Sequence, residues 1–432
     1  MTYETALEKI HSLLTFGSRP GLDRMRELMR RLDNPQDKLR YIHVAGTNGK
    51  GSVCAVLSSV LTAADYKTGL FISPYITDFR ERIQINNEMI SKETLTDAVE
   101  KTFPVLEELR EEGIIITEFE YVNALQFYIH AQAGCDIVVL ETGMGGLLDC
   151  TNVINPPLGA VITSIGLDHT AVLGETIEEI AAQKCGIIKN GSAVFTSAQC
   201  DEAMAVIEET AERMNVPLIK SSDIKVNIEE MTLEGSRFTA DNISCFIKLA
   251  GRHQIENAVT ALSALFYLRK KKILSISDEA FMDGLESAEN PARLELLNKE
   301  PVVLLDGAHN PDGITSLKEA INTFLPDVPI FGVTGMLADK DVDRSVELLK
   351  GMFKKVFTAP INNPRALDAE ALAEKYRASQ TETEAGASPQ AAFDKAFEAA
   401  KNNNCAVVIC GSLYLAGEIR PYIIEKFNQP TE

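Results

Sequence analysis

The sequence has few features of a disulfide-stabilised or cysteine-ligated protein. Its eight cysteines are scattered over 432 residues, and none belongs to a C-x-x-C pair, which argues against a zinc ribbon or a redox dithiol. Basic residues are also scarce, since 42 Lys and Arg stand against 62 Asp and Glu and give a net charge of −20. So acidic a chain is not expected to bind nucleic acid or a membrane surface, whereas a locally cationic site for an anionic small molecule stays compatible with it.

Long apolar runs are missing as well. No uncharged stretch approaches the ~20 residues of a membrane helix, and the N-terminal MTYETALEKIHSLL lacks the basic start and apolar core of a signal peptide. We therefore expect a cytoplasmic protein whose thiols are reduced and mostly buried. Apolar residues make up 45% of the chain, which is enough for buried cores, and the length predicts two or three domains.

Short β-rich runs alternate with amphipathic helical patterns, which is typical of an α/β fold with parallel sheets. Each run is continuously apolar, as expected for strands covered on both faces. The predicted strands form two groups, at 41–45, 136–141 and 160–165, and at 302–306, 329–335, 355–359 and 406–411.

The two groups of strands predict two domains, 1–290 and 291–432, joined where the helical pattern GLESAE gives way to Asn-Pro. Residues 221–250 combine short alternating patterns with turn residues, so they predict a small antiparallel insertion. The polar stretch 377–390 predicts an exposed loop.

The strongest local motif lies between the first predicted strand and a helical pattern. Glycines let several backbone N–H groups point into one concavity, and the helix that follows adds a partial positive charge. Lys50 can neutralise phosphate oxygens, and the Ser52 hydroxyl can bind Mg²⁺. The spacing departs from G-x-x-x-x-G-K-[ST] because Gly51 separates these two residues, and the alternative is a glycine-rich turn without a ligand. The predicted phosphate-binding turn comprises Gly46, Thr47, Asn48, Gly49, Lys50, Gly51 and Ser52.

Residues that can bind a metal ion follow two other predicted strands. Glu141 ends one strand, at the position where an acidic residue of a P-loop fold reaches the magnesium ion of the nucleotide. Another predicted strand ends at Asp168 and His169, although a single histidine is more often structural than a ligand. Because two separate strands end in such residues, the pattern favours His169 as a functional ligand.

Lys184 occupies an unusual place in a predicted helix. The helix begins at a capping box formed by Thr176 and Glu179, and Lys184 falls on its apolar face with Ile180 and Ala181. A lysine there snorkels to solvent, pairs with an acid or is chemically modified. The pattern alone leaves these readings open.

The second group of strands predicts another ligand edge. Asp306 ends a strand and is followed by His309 and Asn310, while Ser412 follows the strand at 406–411. Ligands bind at the carboxyl edge of parallel sheets, although ordinary loop residues are the alternative here. The two domains could close these edges over one cleft and exclude water from a reactive intermediate.

Taken together, motifs along nearly the whole chain resemble the folylpolyglutamate synthase/dihydrofolate synthase family of Mur-ligase-like enzymes. GTNGKGS also occurs among Mur ligases, whereas the SPY, LDGAHNP and GSLYL blocks are more specific to the folate branch. The motifs are RPGLDRM, HVAGTNGKGS, SPYITDFRERIQIN, TEFE, ETGMGGLLDCTN, SIGLDHTAVLGETIEEIAAQKCGIIK, GRHQIENA, LDGAHNP, DKD, PRAL and GSLYLAGEIR.

The resemblance implies an α/β protein with an N-terminal P-loop ATPase-type parallel-sheet domain, which carries the small antiparallel insertion, and a smaller Rossmann-like C-terminal α/β domain. It implies ATP as co-substrate and Mg²⁺, two ions, as cofactor, together with a carbamate that CO₂ forms on Lys184. The implied metal ligands are Ser52, Ser73, Glu141, His169 and the carbamylated Lys184.

The same resemblance implies roles in catalysis and substrate binding. Beside the phosphate-binding turn, Asn257 contacts adenine and Arg293 and Asp306 contact the nucleotide, while His309 and Ser412 lie near the incoming L-glutamate. The implied catalytic residues are Lys50, Asp306 and His309. The implied pterin-side residues are Gly21, Leu22, Arg24, Thr117, Phe119, Leu148 and Asp149, together with Arg82 as a candidate cation near the substrate carboxylate.

The chain departs from the family pattern in the segment that carries Leu148 and Asp149. Leu147 stands where the family has arginine, and Cys150 stands where it has alanine. These changes bear on substrate preference more than on ATP chemistry. Ala292 replaces a glycine and Cys185 an alanine of the family, and both are small.

These features predict an ATP-dependent ligase, a monomer acting on small molecules, that adds L-glutamate to a folate-type carboxylate through an acyl phosphate. The acceptor is a reduced folate, dihydropteroate or both. One alternative is a Mur-type ligase for a non-folate acid, which we expect to carry a UDP-sugar-binding domain ahead of the phosphate-binding turn. The other is an ATPase switch that hydrolyses ATP without ligation.

Overall fold

The computed structural model describes residues 1–13, 21–403 and 405–428. Within these ranges no helix is both long and apolar enough to cross a membrane. The helices are α1 Tyr3–His11, α2 Asp23–Arg31, α3 Lys50–Ala63, α4 Lys92–Glu111, α5 Glu118–Ala133, α6 Thr170–Leu173, α7 Ile177–Cys185, α8 Asp201–Met214, α9 Arg252–Lys270, α10 Asp278–Ser287, α11 Pro311–Phe324, α12 Val342–Leu349, α13 Ala369–Ala378, α14 Pro389–Asn403 and α15 Leu413–Asn428.

The first sheet has eight strands in the order β4-β3-β2-β5-β1-β6-β7-β8. All pairings are parallel except those of β3 and β4 at one edge. Every residue of β1, β2, β5 and β6 is buried, which is why β1, β5 and β6 stand out in the sequence as apolar runs. The apolar pattern did not predict β2, whose sequence is Thr-Gly-Leu-Phe. The strands are β1 Tyr41–Ala45, β2 Thr68–Phe71, β3 Ile83–Ile85, β4 Glu88–Met89, β5 Ile137–Glu141, β6 Gly159–Ile162, β7 Val194–Thr196 and β8 Leu218–Lys220.

The predicted insertion is a three-stranded antiparallel sheet in the order β11-β10-β9. A third sheet, in the order β12-β13-β17-β14-β15-β16, is parallel except for β12 at its edge. These strands are β9 Val226–Thr232, β10 Gly235–Ala240, β11 Ile243–Ile247, β12 Glu295–Lys299, β13 Val302–Leu305, β14 Ile330–Thr334, β15 Lys355–Thr358, β16 Thr383–Ala385 and β17 Ala406–Cys410.

Helices cover both faces of the two large sheets. On one face of the first sheet, α3, α9 and α10 pack in one apolar core with the inner residues of the insertion. On the other face, α1, α2, α4 and α5 form a second core. The third sheet has its own core on each face. These separate cores confirm the predicted α/β class with a larger N-terminal and a smaller C-terminal unit.

Two details of the prediction are wrong. The stretch 377–390 is not simply an exposed loop, because it contains β16, which pairs in parallel with β15 and is half-buried. Its polar side chains fit an edge strand, which only one neighbour covers. Asp168 and His169 do not end a strand either, since β6 stops at Ile162 and they lie in the loop before α6.

The segment 288–294 joins the two units. It follows α10, which packs on α3, and precedes β12 of the third sheet. The predicted boundary after residue 290 lies within this segment and stays a prediction.

Candidate active site

One cleft of about 740 Å³ receives residues from both large sheets and from α9. Every residue that we predicted for ATP, metal ions or catalysis lies in its wall. They are Gly46, Thr47, Asn48, Gly49, Lys50, Gly51, Ser52, Ser73, Glu141, His169, Lys184, Asn257, Arg293, Asp306 and His309.

The phosphate-binding turn links β1 to α3 and depends on its glycines. Gly49 has φ 87° at the N-cap of α3, and a Cβ there would lie 2.3 Å from Asn257 Oδ1. A Cβ on Gly46 would lie 1.8 Å from Thr163 Oγ1. Lys50 Nζ donates hydrogen bonds to the carbonyl oxygens of Gly46 at 3.1 Å and Thr47 at 3.2 Å. The turn therefore presents backbone N–H groups, a helix N-terminus and an ammonium to one space, which suits a polyphosphate.

Glu141 is a buried carboxylate beside this turn. It ends β5, is 5% exposed and accepts a hydrogen bond from Ser73 N at 3.2 Å. Burial raises the pKa of Glu141, while the charges of Lys50, Arg293 and Arg82 oppose that shift. Such a carboxylate in a cationic setting is suited to sharing a bound cation with phosphate oxygens.

The oxygen atoms of the cleft fit a magnesium ion better than they fit a softer metal. Glu141, Ser52 and Ser73 all line the cleft and carry carboxylate or hydroxyl oxygens. Among the described residues, no group of three or more His, Cys, Asp or Glu side chains is arranged for a metal. Mg²⁺ commonly needs only one or two protein carboxylates when substrate phosphates supply other ligands, so this sparse donor set fits it.

His169 begins the short helix α6 with φ 51° and is 46% exposed at its side chain. Its Nε2 lies 3.9 Å from Asp168 Oδ2. Burial lowers the pKa of His169, and the Asp168 carboxylate opposes the shift. The imidazole is thus available to the cleft as a neutral ring.

Lys184 is buried on the apolar face of α7, which also carries Ile180 and Ala181, and it faces the phosphate-binding turn. It is 4% exposed, and its Nζ donates a hydrogen bond to Gly46 O at 2.8 Å. Burial, with the repulsion of Lys50, lowers the pKa of Lys184 to about 7. The snorkelling alternative is therefore wrong, and a large share of the amine is neutral near pH 7.

The third sheet contributes Asp306 and His309, which follow β13. Asp306 accepts hydrogen bonds from Leu294 N and Ala308 N, both at 2.7 Å. Burial raises its pKa, against the charge of Arg293. His309 bonds through Nδ1 to Gly307 O at 2.9 Å, and burial lowers its pKa to about 4. His309 is therefore neutral at physiological pH, with Nδ1 protonated and Nε2 free to accept a proton.

Lys340 and Asn310 make three contacts from the third sheet's loops to those of the first sheet. Lys340 Nζ forms an ion pair with Asp168 Oδ1 at 2.8 Å, and both side chains are 14% exposed. Asn310 Nδ2 donates to Asn48 Oδ1 at 3.1 Å and lies 3.4 Å from Asp168 Oδ2. These contacts close the cleft along one side.

The predicted pterin-side residues lie outside the wall of this cleft. Arg24 forms an ion pair with Glu120 at 2.8 Å, and Glu120 also accepts from Thr117 N at 2.8 Å. Phe119 packs against the cleft wall, because a Cβ on Gly143 would lie 2.2 Å from its ring. Arg19 and Pro20 of the RPGLDRM motif lie outside the described residues.

The remaining pterin-side residues differ in exposure. Leu22 and Asp149 are buried, whereas Leu148 is 45% exposed. Gly21 has φ 135° just before α2. Arg82 donates to Ser73 Oγ at 3.2 Å and so reaches the cleft wall from outside.

Ser412 is 2% exposed and accepts a hydrogen bond from Tyr414 N at 3.1 Å. It therefore caps the start of α15, while its neighbour Leu413 lines the cleft.

Sequence reasoning missed three residues that hold this region together: Glu120, Asn290 and Lys340. The T-x-x-E spacing of Thr117 and Glu120 is a capping-box signal that could have revealed the first. Lys340 stands in the DKD motif and Asn290 precedes Pro291, but neither pattern indicates the contact it makes, because both partners are distant in sequence.

The comparisons with known proteins agree with this architecture. Residues 44–265 match the family described as "Mur ligase middle domain", and residues 292–413 match "Mur ligase, glutamate ligase domain". A cleft with a phosphate-binding turn between two such domains defines a Mur-type, ATP-dependent amide ligase.

Relatives over the whole chain are more specific. The dihydrofolate synthase/folylpolyglutamate synthase of Bacillus subtilis is 41% identical over 426 residues, covering 97% of this chain and 98% of that protein. Mycobacterium tuberculosis folylpolyglutamate synthase complexed with ADP and AMPPCP has a TM-score of 0.89 at 28% identity, covering 100% of both chains. An FPGS–AMPPCP–folate complex has a TM-score of 0.85 at 32% identity, covering 98% of this chain and 100% of that one.

The chain therefore belongs to the folylpolyglutamate synthase/dihydrofolate synthase family. It is an ATP-dependent ligase that joins L-glutamate to folate-type carboxylates.

Proposed function

We propose that this enzyme glutamylates both dihydropteroate and reduced folates in the cleft between its two large sheets. The observation that carries the proposal is the convergence of the phosphate-binding turn, Glu141, Asp306 and His309 on one cleft. The 41% identity to a protein named for both activities supports two acceptors.

The proposed reaction has two steps. An acceptor carboxylate oxygen attacks the γ-phosphorus of ATP, the bond to the β,γ-bridging oxygen breaks, and ADP and an acyl phosphate form. The neutral amine of L-glutamate then attacks the acyl carbon, loses a proton, and inorganic phosphate leaves. Lys50, the backbone N–H groups and the N-terminus of α3 stabilise the charge that develops on the phosphoryl oxygens.

His309 and Asp306 are the proposed contributions of the third sheet. With Nδ1 bonded to Gly307 O, the free Nε2 of neutral His309 can accept the proton that the glutamate amine loses. The Asp306 carboxylate accepts hydrogen bonds from Leu294 N and Ala308 N. It thereby fixes the two backbone segments that contain these residues. We propose that Ser412 lies near the glutamate without contacting it directly, because its neighbour Leu413 is the residue that lines the cleft.

For magnesium we propose Ser52, Ser73, Glu141 and His169 as the protein ligands. Bound Mg²⁺ would neutralise phosphate oxygens of the nucleotide. We also propose that Lys184 carries a carbamate. Its neutral amine attacks the carbon of CO₂, an N–C bond forms as one C=O π bond opens onto oxygen, and the nitrogen then loses one proton to solvent, so that a neutral amine becomes an anionic carbamate. The lowered pKa supports this modification, because only the neutral amine is nucleophilic.

The remaining proposals concern adenine, the pterin and the assembly. Asn257, from α9, is proposed to contact adenine. The ion pair of Arg24 with Glu120, the Thr117 capping box and Phe119 are proposed to form the pterin side, with Gly21, Leu22, Arg82, Leu148 and Asp149. We propose that the chain works as a monomer with domains 1–290 and 291–432.

The test is ATP-dependent incorporation of labelled L-glutamate, run in parallel with 7,8-dihydropteroate and tetrahydrofolate. Product on both acceptors is expected. Product on one alone would overturn the dual assignment and leave a single-acceptor ligase. ATP hydrolysis without product on either would mean that the segment carrying Leu147 accepts a different acid.

Two substitutions test the proposed chemistry of the cleft. Lys50→Ala and Glu141→Ala are each expected to lower the ligation rate by about 10²-fold or more, as removal of a charge-stabilising group does elsewhere. Circular dichroism and thermal unfolding would check that each variant folds. Lys401→Ala, at an exposed position of α14, is the matched control. Near-normal turnover in either cleft variant would contradict the proposal.

A further inference from the structure

The segment that joins the two domains touches the phosphate-binding turn. Asn290 Nδ2 donates a hydrogen bond to Ser52 Oγ at 3.0 Å, between residues 238 positions apart in the sequence. Ser52 is 3% exposed and lines the cleft, whereas Asn290 is half-buried behind it. The contact therefore reaches the site from outside the space that a nucleotide would fill.

The local backbone leaves room for this approach. A Cβ on Gly51 would lie 3.3 Å from Asn290 Nδ2, so a side chain at position 51 would require the amide to shift by a few tenths of an ångström. Pro291 restricts the residue before it to extended conformations. Asn290 is thus held in a narrow range of backbone geometry, and its amide packs closely against Gly51.

The other end of the segment is bound to the third sheet. Leu294 N donates to Asp306 Oδ2 at 2.7 Å, and Gly307 N donates to Ala292 O at 2.8 Å. Between these contacts the Arg293 side chain lines the cleft. Five consecutive residues, 290–294, therefore tie the segment to the phosphate-binding turn at one end and to the third sheet at the other.

We propose that Asn290 is a positioning residue for Ser52. Its amide N–H occupies one lone pair of the hydroxyl oxygen, which leaves the other lone pair for a cation and the hydroxyl proton for a phosphate oxygen. The same bond couples the segment that presents Arg293 to the turn that holds the phosphates. This inference rests on the proposed nucleotide site, in which Ser52 is a ligand of the magnesium ion.

The test measures ADP affinity of the full chain by titration calorimetry, with Mg²⁺ and with EDTA. Asn290→Leu keeps a similar volume but cannot donate a hydrogen bond. We expect it to weaken ADP binding about three- to tenfold in Mg²⁺, the size of one hydrogen bond, and much less in EDTA. Glu289→Leu introduces the same side chain at the exposed neighbouring position and is expected to change neither value.

A double-mutant cycle with Ser52→Ala identifies the partner. If Asn290 acts through the Ser52 hydroxyl, Asn290→Leu has no further effect in the Ser52→Ala background. Equal weakening in Mg²⁺ and EDTA, or full additivity in the cycle, would overturn the inference and indicate a structural role. Absence of ADP binding in the unmodified protein would instead overturn the proposed function, so the two failures are distinguishable. An unchanged melting temperature excludes misfolding of Asn290→Leu. If that variant melts early, Asn290→Ala, which also lacks a donor, serves as the second variant with the same expected outcome.

Discussion

At the scale of single residues, burial sets the protonation states around the cleft. Lys184, inside an apolar helix face, has its pKa lowered to about 7, and His309 has its pKa lowered to about 4. Both shifts have burial as their largest cause, and both favour the uncharged form. Near pH 7 the site thereby holds a neutral His309 imidazole and a Lys184 amine of which a large share is neutral.

The first residue-scale prediction concerns Lys184. Lys184→Ala should lose most ligase activity, and acetate should restore part of it by supplying a carboxylate in the space left. In the unmodified enzyme, activity should rise with CO₂ and as pH increases through about 7, because deprotonation produces the reactive amine. Lys184→Arg, which stays charged and cannot form the carbamate, should lose activity without rescue. Full activity of Lys184→Ala at every pH would remove the carbamate from the mechanism.

The second residue-scale prediction concerns the stability of the protein in acid. Burial lowers the pKa of His130 to about 4, against about 6.5 in the unfolded chain. Between these values the unfolded state binds a proton that the folded state refuses, so the free energy of unfolding falls as pH drops from about 6.5 to about 4. His130→Gln should flatten this dependence by up to about 1.4 kcal/mol per pH unit.

Urea unfolding at a series of pH values measures the effect of His130. His43 gives an independent check, since burial and the charge of Lys189 lower its pKa to about 3. His43→Gln should therefore flatten the curve by a further increment. Identical slopes in the unmodified protein and both variants would show that these rings do not control acid stability.

At the scale of elements, helix ends and linking turns hold the functional side chains. Capping boxes start α5 at Thr117 and α7 at Thr176, and they bring Glu120 and Lys184 to defined positions on those helices. In the segment before β12, the backbone conformation, instead of a helix cap, positions the functional side chain. Ala292 and Leu294 have φ values of 57° and 47°, and this left-handed pair turns the Arg293 side chain between them into the cleft.

The element-scale prediction concerns Ala292. A left-handed conformation costs an L-residue about 1–2 kcal/mol, and glycine avoids that cost but loses about 0.5–1 kcal/mol through chain entropy and a buried methyl group worth about 0.8 kcal/mol. Ala292→Gly should therefore change the free energy of unfolding by less than about 1 kcal/mol. Ala292→Val, β-branched at the same buried position, should destabilise by about 2 kcal/mol or more.

Urea unfolding compares the two Ala292 variants, and ADP affinity reports whether Arg293 stays in place. If Ala292→Gly lowered the free energy of unfolding strongly while Ala292→Val left it unchanged, the role given to the left-handed backbone would be contradicted.

At the scale of the whole molecule, a small number of contacts join the two large sheets across the cleft. The ion pair of Lys340 with Asp168 is the best shielded of them. Burial by itself raises the pKa of Asp168, but the ammonium of Lys340 and the two nearby histidines hold it well below its usual range. Asn310, hydrogen-bonded to Asn48, extends the same contact to the phosphate-binding turn.

The prediction at this scale is that Lys340→Met destabilises the closed arrangement. The substitution leaves the mostly buried Asp168 carboxylate without its ion-pair partner. The free energy of unfolding should fall by about 1–3 kcal/mol, which is less than the loss expected when one partner of a fully buried pair is removed. Adding Asp168→Asn should recover part of the loss. Lys375→Met, which breaks the exposed pair with Asp343, should have little effect.

Unfolding free energies of the Lys340 and Asp168 variants give the coupling between the two side chains. A coupling indistinguishable from that of the exposed pair would mean that Lys340 does not hold the domains together.

Much of this architecture was predictable from local patterns. The apolar runs correctly indicated β1, β5, β6, β13, β14, β15 and β17, because strands covered on both faces have no polar side to interrupt them. They did not indicate β2, which is also buried but begins Thr-Gly. They failed for β16, whose half-buried edge position tolerates the polar residues that suggested a loop. The motifs identified the family, and the residues predicted for ATP and metal line one cleft, whereas the pterin-side set lies behind its wall.

The sequence by itself determined the phosphate-binding turn, the alternation of strands and helices and the family, since each depends on residues close together in the chain. Only the tertiary structure decided that Asn290 meets Ser52, that Lys340 meets Asp168, and that Lys184 is buried against Gly46 O. The physical reason is that these contacts depend on how separate sheets pack against each other. A local sequence pattern does not indicate which distant side chain will contact a given residue.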